Sequence, residues 1–294
     1  MKLSLGAIPF YWSKQNIESF YREIASSSVP LVYLGETVCA KRTELKAADW
    51  LALGKELKQA GKQVVISTLA LIEERQEIEQ MRPLFEQNDF WLEANDMGII
   101  QIAKQHNIPF VAGAPINCYN ITALKLLLKS GMKRWVMPVE LSRDWLANLL
   151  ADATEQGIRE QFEVEVYGHG YLPLAYSARC FTARSQNLPK DQCQKCCINF
   201  PNGRLVENLE GKRMFVLNGI QTMSGNCMNL LGDIAEMKGL VDWFRLSPQA
   251  EGTNKLISEI QQQLIAPSTI KLATHECNGY WHKIEGFKIV ESED

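Results

Sequence analysis

Short runs rich in β-branched and aromatic residues alternate with longer amphipathic stretches along most of the chain. Apolar runs at Lys2–Ile8, Leu31–Gly35, Gln63–Leu69, Phe90–Ala94, Pro109–Ala112, Arg134–Pro138, Phe162–Tyr167 and Val241–Leu246 predict strands. Helical patterns lie between or beyond them, at Asn16–Ala25, Ala47–Ala60, Ile72–Glu86, Met97–His106, Ile121–Ser130, Asp144–Glu155, Met228–Lys238 and Thr253–Leu264. In Ala47–Ala60 the residues Trp50, Leu51, Leu53, Gly54 and Leu57 share one face, with lysines opposite.

Several predicted helices end on a glycine that turns the chain into the next strand: Gly61, Gly131 and Gly239. Strand, helix and strand at about 25–35 residues per unit imply parallel strands joined by right-handed crossovers. Eight such units predict one domain over residues 1–294, an α/β fold of the (β/α)8 TIM-barrel type. The rival is an open doubly wound sheet, but no Gly-rich phosphate loop follows the first strand. The rhythm breaks over residues 170–226, where no clean βα unit occurs. That stretch holds Cys180, Cys193, Cys196 and Cys197, an Asn202-Gly203 turn, and strand-like runs at Arg204–Asn208 and Arg213–Leu217. It reads as an insertion after the seventh strand, on the barrel face where active sites are built.

Composition changes this picture little. The 294 residues are 46% hydrophobic and 22% charged, an ordinary globular mix. A formal net charge of -3 gives no electrostatic signal for nucleic acid. Gly6 and Pro9 interrupt the apolar start, so Met1–Phe10 reads as a strand and not as an export signal. No uninterrupted apolar run approaches the roughly 18 residues of a membrane span. A cytoplasmic, reducing setting follows as an expectation, and it makes structural disulfides among the 8 cysteines unlikely partners for the fold.

Spacing then decides what the thiols do. Cys180, Cys193 and Cys197 lie among charged residues (Arg179, Arg184, Lys190, Asp191, Lys195), which does not suit a core strand. Cys39 follows the second strand in Gly35-Glu36-Thr37-Val38-Cys39, so a barrel would place it on the same face. Four thiolates suit either tetrahedral zinc or an iron–sulfur cluster, and spacing does not separate them. Adjacent Cys196 and Cys197 point apart, so one of them is spare. The basic Lys41 and Arg42 beside Cys39 are expected to favour its thiolate. Cys118 is a reserve ligand, and Cys227 is placed at a helix start, where the dipole would lower its pKa, although packing is its favoured role. His275, Cys277 and His282 have metal-binding chemistry but match no established zinc spacing.

No His-Glu-x-x-His helix, Gly-x-Ser-x-Gly elbow or Walker loop occurs. Polar residues at the predicted strand ends would ring the barrel mouth: Glu36, Thr68, Glu93, Asn95, Asp96, Asn117, Glu140, Arg143, His169 and Arg245. His169, between two glycines, is the best acid–base candidate, and Glu140 is the second catalytic candidate.

Tyr33-Leu34-Gly35-Glu36 with Cys39, Ala112-Gly113, Asn117-Cys118-Tyr119-Asn120, Met137-Pro138-Val139-Glu140-Leu141-Ser142, Tyr176-Ser177-Ala178-Arg179-Cys180 and Val216-Leu217-Asn218-Gly219 together resemble the collagenase-like peptidase family, from Met1 to about Trp281. The resemblance implies a [4Fe-4S] cluster held by Cys39, Cys180, Cys193 and Cys197, with Cys196 spare. It further implies an iron–sulfur subunit that forms a heterodimer with a UbiU-like sister subunit. With a UbiT-like lipid-carrier protein, that pair supports anaerobic, oxygen-independent hydroxylation of a ubiquinone precursor. Other relatives modify RNA, so a tRNA hydroxylation factor, prephenate-linked or otherwise, is the alternative. Peptidase activity is unsupported, since no proteolytic motif is present.

Overall fold

A computed structural model describes residues 1–87 and 89–290 of the chain, so residues 291–294 of the expected domain lie outside the described residues. In chain order the elements are β1 (Lys2–Leu5), α1 (Lys14–Ser26), β2 (Leu31–Leu34), α2 (Ala47–Gln59), β3 (Gln63–Ser67), α3 (Arg75–Phe85), β4 (Trp91–Ala94), α4 (Met97–Gln105), β5 (Phe110–Ala112), α5 (Ile121–Lys129), β6 (Met132–Val136), α6 (Arg143–Glu155), β7 (Glu163–Tyr176), α7 (Phe181–Arg184), β8 (Arg204–Glu207), β9 (Arg213–Asn218), β10 (Gln221–Asn229), β11 (Trp243–Leu246), α8 (Thr253–Ile265) and β12 (Glu276–Cys277). Strands β1 to β7 pair in order and in parallel, and β11 pairs in parallel with both β7 and β1. Lys2 faces Trp243 and Leu5 faces Leu246 across the closing seam, while Trp243 faces Glu165 on the other side. The result is a closed, eight-stranded parallel barrel of the (β/α)8 type.

Local chemistry explains most of the surrounding helices. Ser13, Asp96, Asn120 and Ser142 each precede a helix and accept a hydrogen bond from an amide of its first turn. Strand β2 is buried along its whole length, as a strand covered on both faces must be. Two expectations fail. The helix predicted over Met228–Lys238 is instead the end of β10, followed by a 3-10 turn at Ile234–Met237. The seventh strand, expected to end at Tyr167, runs on to Tyr176.

Both differences have the same cause. A Cβ on Gly168 would lie 2.2 Å from the Phe244 ring, and one on Gly170, at φ +132°, would lie 2.4 Å from the Ser247 side chain. These glycines let β7 pass hard against the end of β11 and climb beyond the barrel rim. There it needs a partner for its ladder. β10 provides one, antiparallel, with Met228 opposite Gly170 and Asn229 opposite His169. β9 and then β8 extend the same sheet. The excursion is therefore a continuation of the barrel wall.

No full helix covers β7 on the outside before β11. The C-terminal segment does so instead: β12 pairs with β10, the Arg143 amide donates to the Trp281 carbonyl at 3.0 Å, and His282 Nε2 bonds Asp233 at 2.8 Å. Trp281 is buried.

The barrel interior is charged at its centre. Arg245 Nε donates to Glu165 at 2.8 Å and its Nη1 to Glu93 at 2.6 Å. Ser4 and Tyr33 also donate to Glu165, Ser67 donates to Glu93, and Arg134 donates to the Tyr33 hydroxyl at 3.0 Å. The Arg245 guanidinium stacks 4.1 Å over the Tyr33 ring. Burial alone would raise the Glu165 carboxyl; Arg245 and Arg134 reverse that and hold it below the usual carboxylate range.

Removing one partner of such a buried pair leaves the others uncompensated. Arg245→Met is expected to cost about 3–5 kcal/mol of unfolding free energy, measured by urea titration at neutral pH. A cost under about 1 kcal/mol would refute the network's structural weight. Because the folded pKa of Glu165 is lowered, its contribution is complete above the ordinary carboxylate pKa of about 4.3 and is lost as pH falls through the folded value.

Candidate functional site

The loop after β2 is fixed by its own carboxylate. Gly35 sits at φ +141°, where a Cβ would meet the Ser67 carbonyl at 2.2 Å, so only glycine lets β2 end this close to β3. Glu36 then folds back: Oε1 accepts from the amides of Val38 at 2.8 Å and Cys39 at 3.1 Å. The Cys39 carbonyl accepts from the Arg42 amide, and the Thr37 carbonyl accepts from Ala70 beyond β3. Cys39 is thus held in place with its thiol half-buried.

The other cysteines come from the stretch between β7 and β8. The Phe181 amide donates to the Gly219 carbonyl, and Gly219 donates to the Thr182 hydroxyl at 2.9 Å, which pins α7 to the turn after β9. Cys180 caps α7, its sulfur accepting from the Ala183 amide. Between Cys193 and Cys196 the chain turns through two successive left-handed residues, Gln194 at φ 48° and Lys195 at φ 53°. Neither is glycine, and such backbone is kept where the surroundings impose it. Side chains tie this turn to the first loop: Lys195 Nζ donates to Thr43 at 2.7 Å and Lys41 Nζ to Asp191 at 3.0 Å.

Cys39, Cys180 and Cys193 pack together around Val38, Ala183 and Ile220, in a small apolar cluster separate from the main core. The Cys197 thiol is within electrostatic reach of the Arg42 guanidinium and of Cys180 and Cys196. Cys196 neighbours Cys180 and Cys193. Segments far apart in sequence therefore share one neighbourhood on the barrel's C-terminal face. As the side chains stand, no three His, Cys, Asp or Glu residues among the described ones are set to share a single metal ion.

Burial decides the thiol chemistry. It pushes Cys39 up to about 11, overcoming the nearby Arg42, where the sequence pointed to a lowered value. Cys196 and Cys197 are raised for the same reason, with Arg42 opposing the shift at Cys197. A metal centre would displace these protons, and thiolates without one are costly here. By its chemistry the donor set would suit an iron–sulfur cluster, in which each iron takes one protein thiolate, better than zinc, which needs all four on one ion: soft ligands, an apolar wall, and a buried Arg42 whose Nε has no hydrogen-bond partner among the described residues.

The remaining candidates scatter. Glu93, Asn95 and Arg245 line a cavity of about 30 Å³ at the barrel mouth with Tyr167, Tyr176 and Gln221, room for about one water. His169 is buried but lines no part of that cavity; it faces Glu276 at 3.9 Å, under the C-terminal segment. Burial lowers its pKa. Glu140 is exposed and accepts from Tyr119. Asp96 caps α4, Thr68 donates to the Glu93 carbonyl, Asn117 makes a left-handed turn, and Arg143 pairs with Glu236 at 3.4 Å. Cys118 packs in the main core, away from the other thiols. Cys227 lies in a strand, not at a helix start, and burial raises it to about 12. His282 pairs with Asp233, and Cys277 is buried. Sequence reasoning missed Glu165 and Gln221, and it singled out Tyr176 and Asn218 only as motif residues without a place at the barrel mouth; an alternating Glu-Val-Glu-Val strand facing arginines elsewhere was the available signal for Glu165.

The sequence model described as Peptidase family U32 matches residues 12–260. The chain belongs to peptidase family U32. Within reach of this U32 chain are the tRNA hydroxylation protein P of Escherichia coli (strain K12), 26% identical over 42% of the chain, and its Haemophilus influenzae namesake (strain ATCC 51907 / DSM 11121 / KW20 / Rd), 27% identical over 42%. Those alignments cover 26% and 25% of the two relatives, so the chain spans about a quarter of the length of the curated relatives it matches. A solved structure of an uncharacterized B. cereus protein is similar with a TM-score of 0.46 at 11% identity, covering 88% of this U32 chain and 65% of its own.

In the metal-free protein, Cys39 should react with iodoacetamide more slowly than Cys196 from about pH 7 to 9, since only the thiolate is a nucleophile. Mass spectrometry of digested, timed samples measures both rates. Faster labelling of Cys39 would contradict its burial-raised pKa.

Proposed function

We propose that this chain is the iron–sulfur subunit of an oxygen-independent hydroxylation system in ubiquinone biosynthesis, a UbiV-type member of its family. It acts in the cytoplasm as a heterodimer with a UbiU-like sister subunit and receives the ubiquinone precursor from a UbiT-like lipid-carrier protein. The observation that carries this reading is the meeting of Cys39, from the loop after β2, with Cys180 and Cys193 from the excursion beyond β7. Cys197, within electrostatic reach of Arg42 and Cys180, is the fourth ligand in this reading. When bound, a [4Fe-4S] cluster supplies one-electron redox chemistry. The protein's own residues do the rest: Glu36 fixes the Cys39 loop, the Gln194-Lys195 turn presents the last ligands, and the apolar wall of Val38 and Ile220 restricts water.

A second reading has one observation in its favour, the names of the curated relatives: a tRNA hydroxylation factor. The net charge of -3 gives it no support. A deletion strain grown without air separates the two. Loss of ubiquinone with unchanged tRNA nucleosides supports the first; unchanged ubiquinone with a missing hydroxylated nucleoside supports the second.

Air-free purification should yield a brown protein with about four irons per chain. Cys197→Ser should lose most of that iron and Cys196→Ser should retain it, both read by metal analysis. A colourless protein carrying zinc would defeat the iron assignment, and iron loss in Cys196→Ser alone would exchange the two ligands.

A further inference from the structure

We infer that Arg42 sets the reduction potential of the centre held by Cys39, Cys180, Cys193 and Cys197, as a buried positive charge fixed against two of its ligands. This rests on the iron–sulfur reading above and assigns a role to a residue of this chain that is not itself a ligand.

The placement of Arg42 is unusual among the buried arginines here. Arg245 is matched by two carboxylates, at 2.6 and 2.8 Å, and Arg134 by Glu163 at 2.6 Å. Arg42 is as deeply buried, with its side chain 1% exposed, but its bonds go to neutral oxygens: Nη1 to the Pro9 carbonyl at 2.8 Å and Nη2 to Asn218 Oδ1 at 2.7 Å. Asn218 is itself held by Pro9 and Gln221. Glu36 Oε1 stands 3.5 Å from Nη1, yet that oxygen already accepts two amide bonds. Arg42 Nε has no acceptor at all. Space for the guanidinium is built in, because a Cβ on Gly219 would approach Nη2 to 3.1 Å.

A buried cation that its surroundings match only in part favours negative charge next to it. The acidic groups within its electrostatic reach are the Glu36 carboxyl, at 3.5 Å, and the thiols of Cys197 and Cys39, and the Arg42 amide closes the turn on the Cys39 carbonyl. One-electron reduction adds one negative charge to a cluster held by four thiolates. A fixed cation stabilises that reduced state and raises the potential. Lys41 is also near, but its side chain is 40% exposed and its charge is screened and paired with Asp191.

The experiment is an anaerobic redox titration of the purified full chain, followed by electron paramagnetic resonance with iron analysis of each sample. Arg42→Gln should keep its iron and titrate lower, with the reduced-to-oxidised ratio at the wild-type midpoint falling at least tenfold, about 59 mV for a one-electron couple. Arg42→Lys, which retains the charge, should stay much nearer the wild-type midpoint, and Lys41→Gln should not move it. Full iron with an unmoved midpoint in Arg42→Gln overturns the inference, as does an equal shift in Lys41→Gln. Should Arg42→Gln fail to hold iron, Arg42→Lys decides, and a tenfold drop there shows that charge is not the cause. A wild-type chain without iron defeats the iron–sulfur reading itself, whereas an unmoved midpoint in iron-loaded variants defeats only the role of Arg42.

Discussion

The bridge from Arg245 to Glu93 and Glu165 ties the fourth, seventh and eighth barrel strands together at the barrel axis. An apolar barrel interior would be filled by branched side chains. Here charges occupy the centre, so each must have its partner at hydrogen-bond distance or the interior fails. That requirement fixes the register of β7 against β11, with Arg245 opposite Tyr167, two residues beyond Glu165. The glycines at 168 and 170 then guide the continuing strand out over the rim. Where the excursion begins is thus set by the charged centre.

From there the placement of the thiols follows. The rising strand brings the turn at Gly219 and the short helix after Cys180 over the loop that carries Cys39. That loop is held by a carboxylate folded onto its own amides, the short helix by hydrogen bonds to a turn in another strand pair. Salt links such as Lys41–Asp191 are exposed and add little energy, but they specify which loop faces which.

Much of the fold was legible because period-two and period-3.6 patterns are local properties of the chain. The stretch after Met228 was misread for the same reason. Its apolar residues Leu230, Leu231, Ile234 and Met237 fit one helical face, and only the unpaired ladder of β7 selects a strand for its start. The grouping of cysteines was readable from topology, since loops after barrel strands share a face. Their acidity was not: Lys41 and Arg42 are visible beside Cys39, but burial, which outweighs them, depends on Val38, Ala183 and Ile220 arriving from three places. His169 looked free between its glycines. Those glycines instead serve the passage of the backbone past Phe244 and Ser247.

Between its last two strands the barrel has only the four-residue helix α7, and the segment around Trp281 packs on that side, through β12 on β10 and the Arg143 amide on the Trp281 carbonyl. Such a segment lies outside the strand–helix repeat in sequence yet against the barrel wall in the fold. Trimming it to obtain a tidier crystallisation target would strip β12 from β10, remove the buried Trp281 and expose His169 to water.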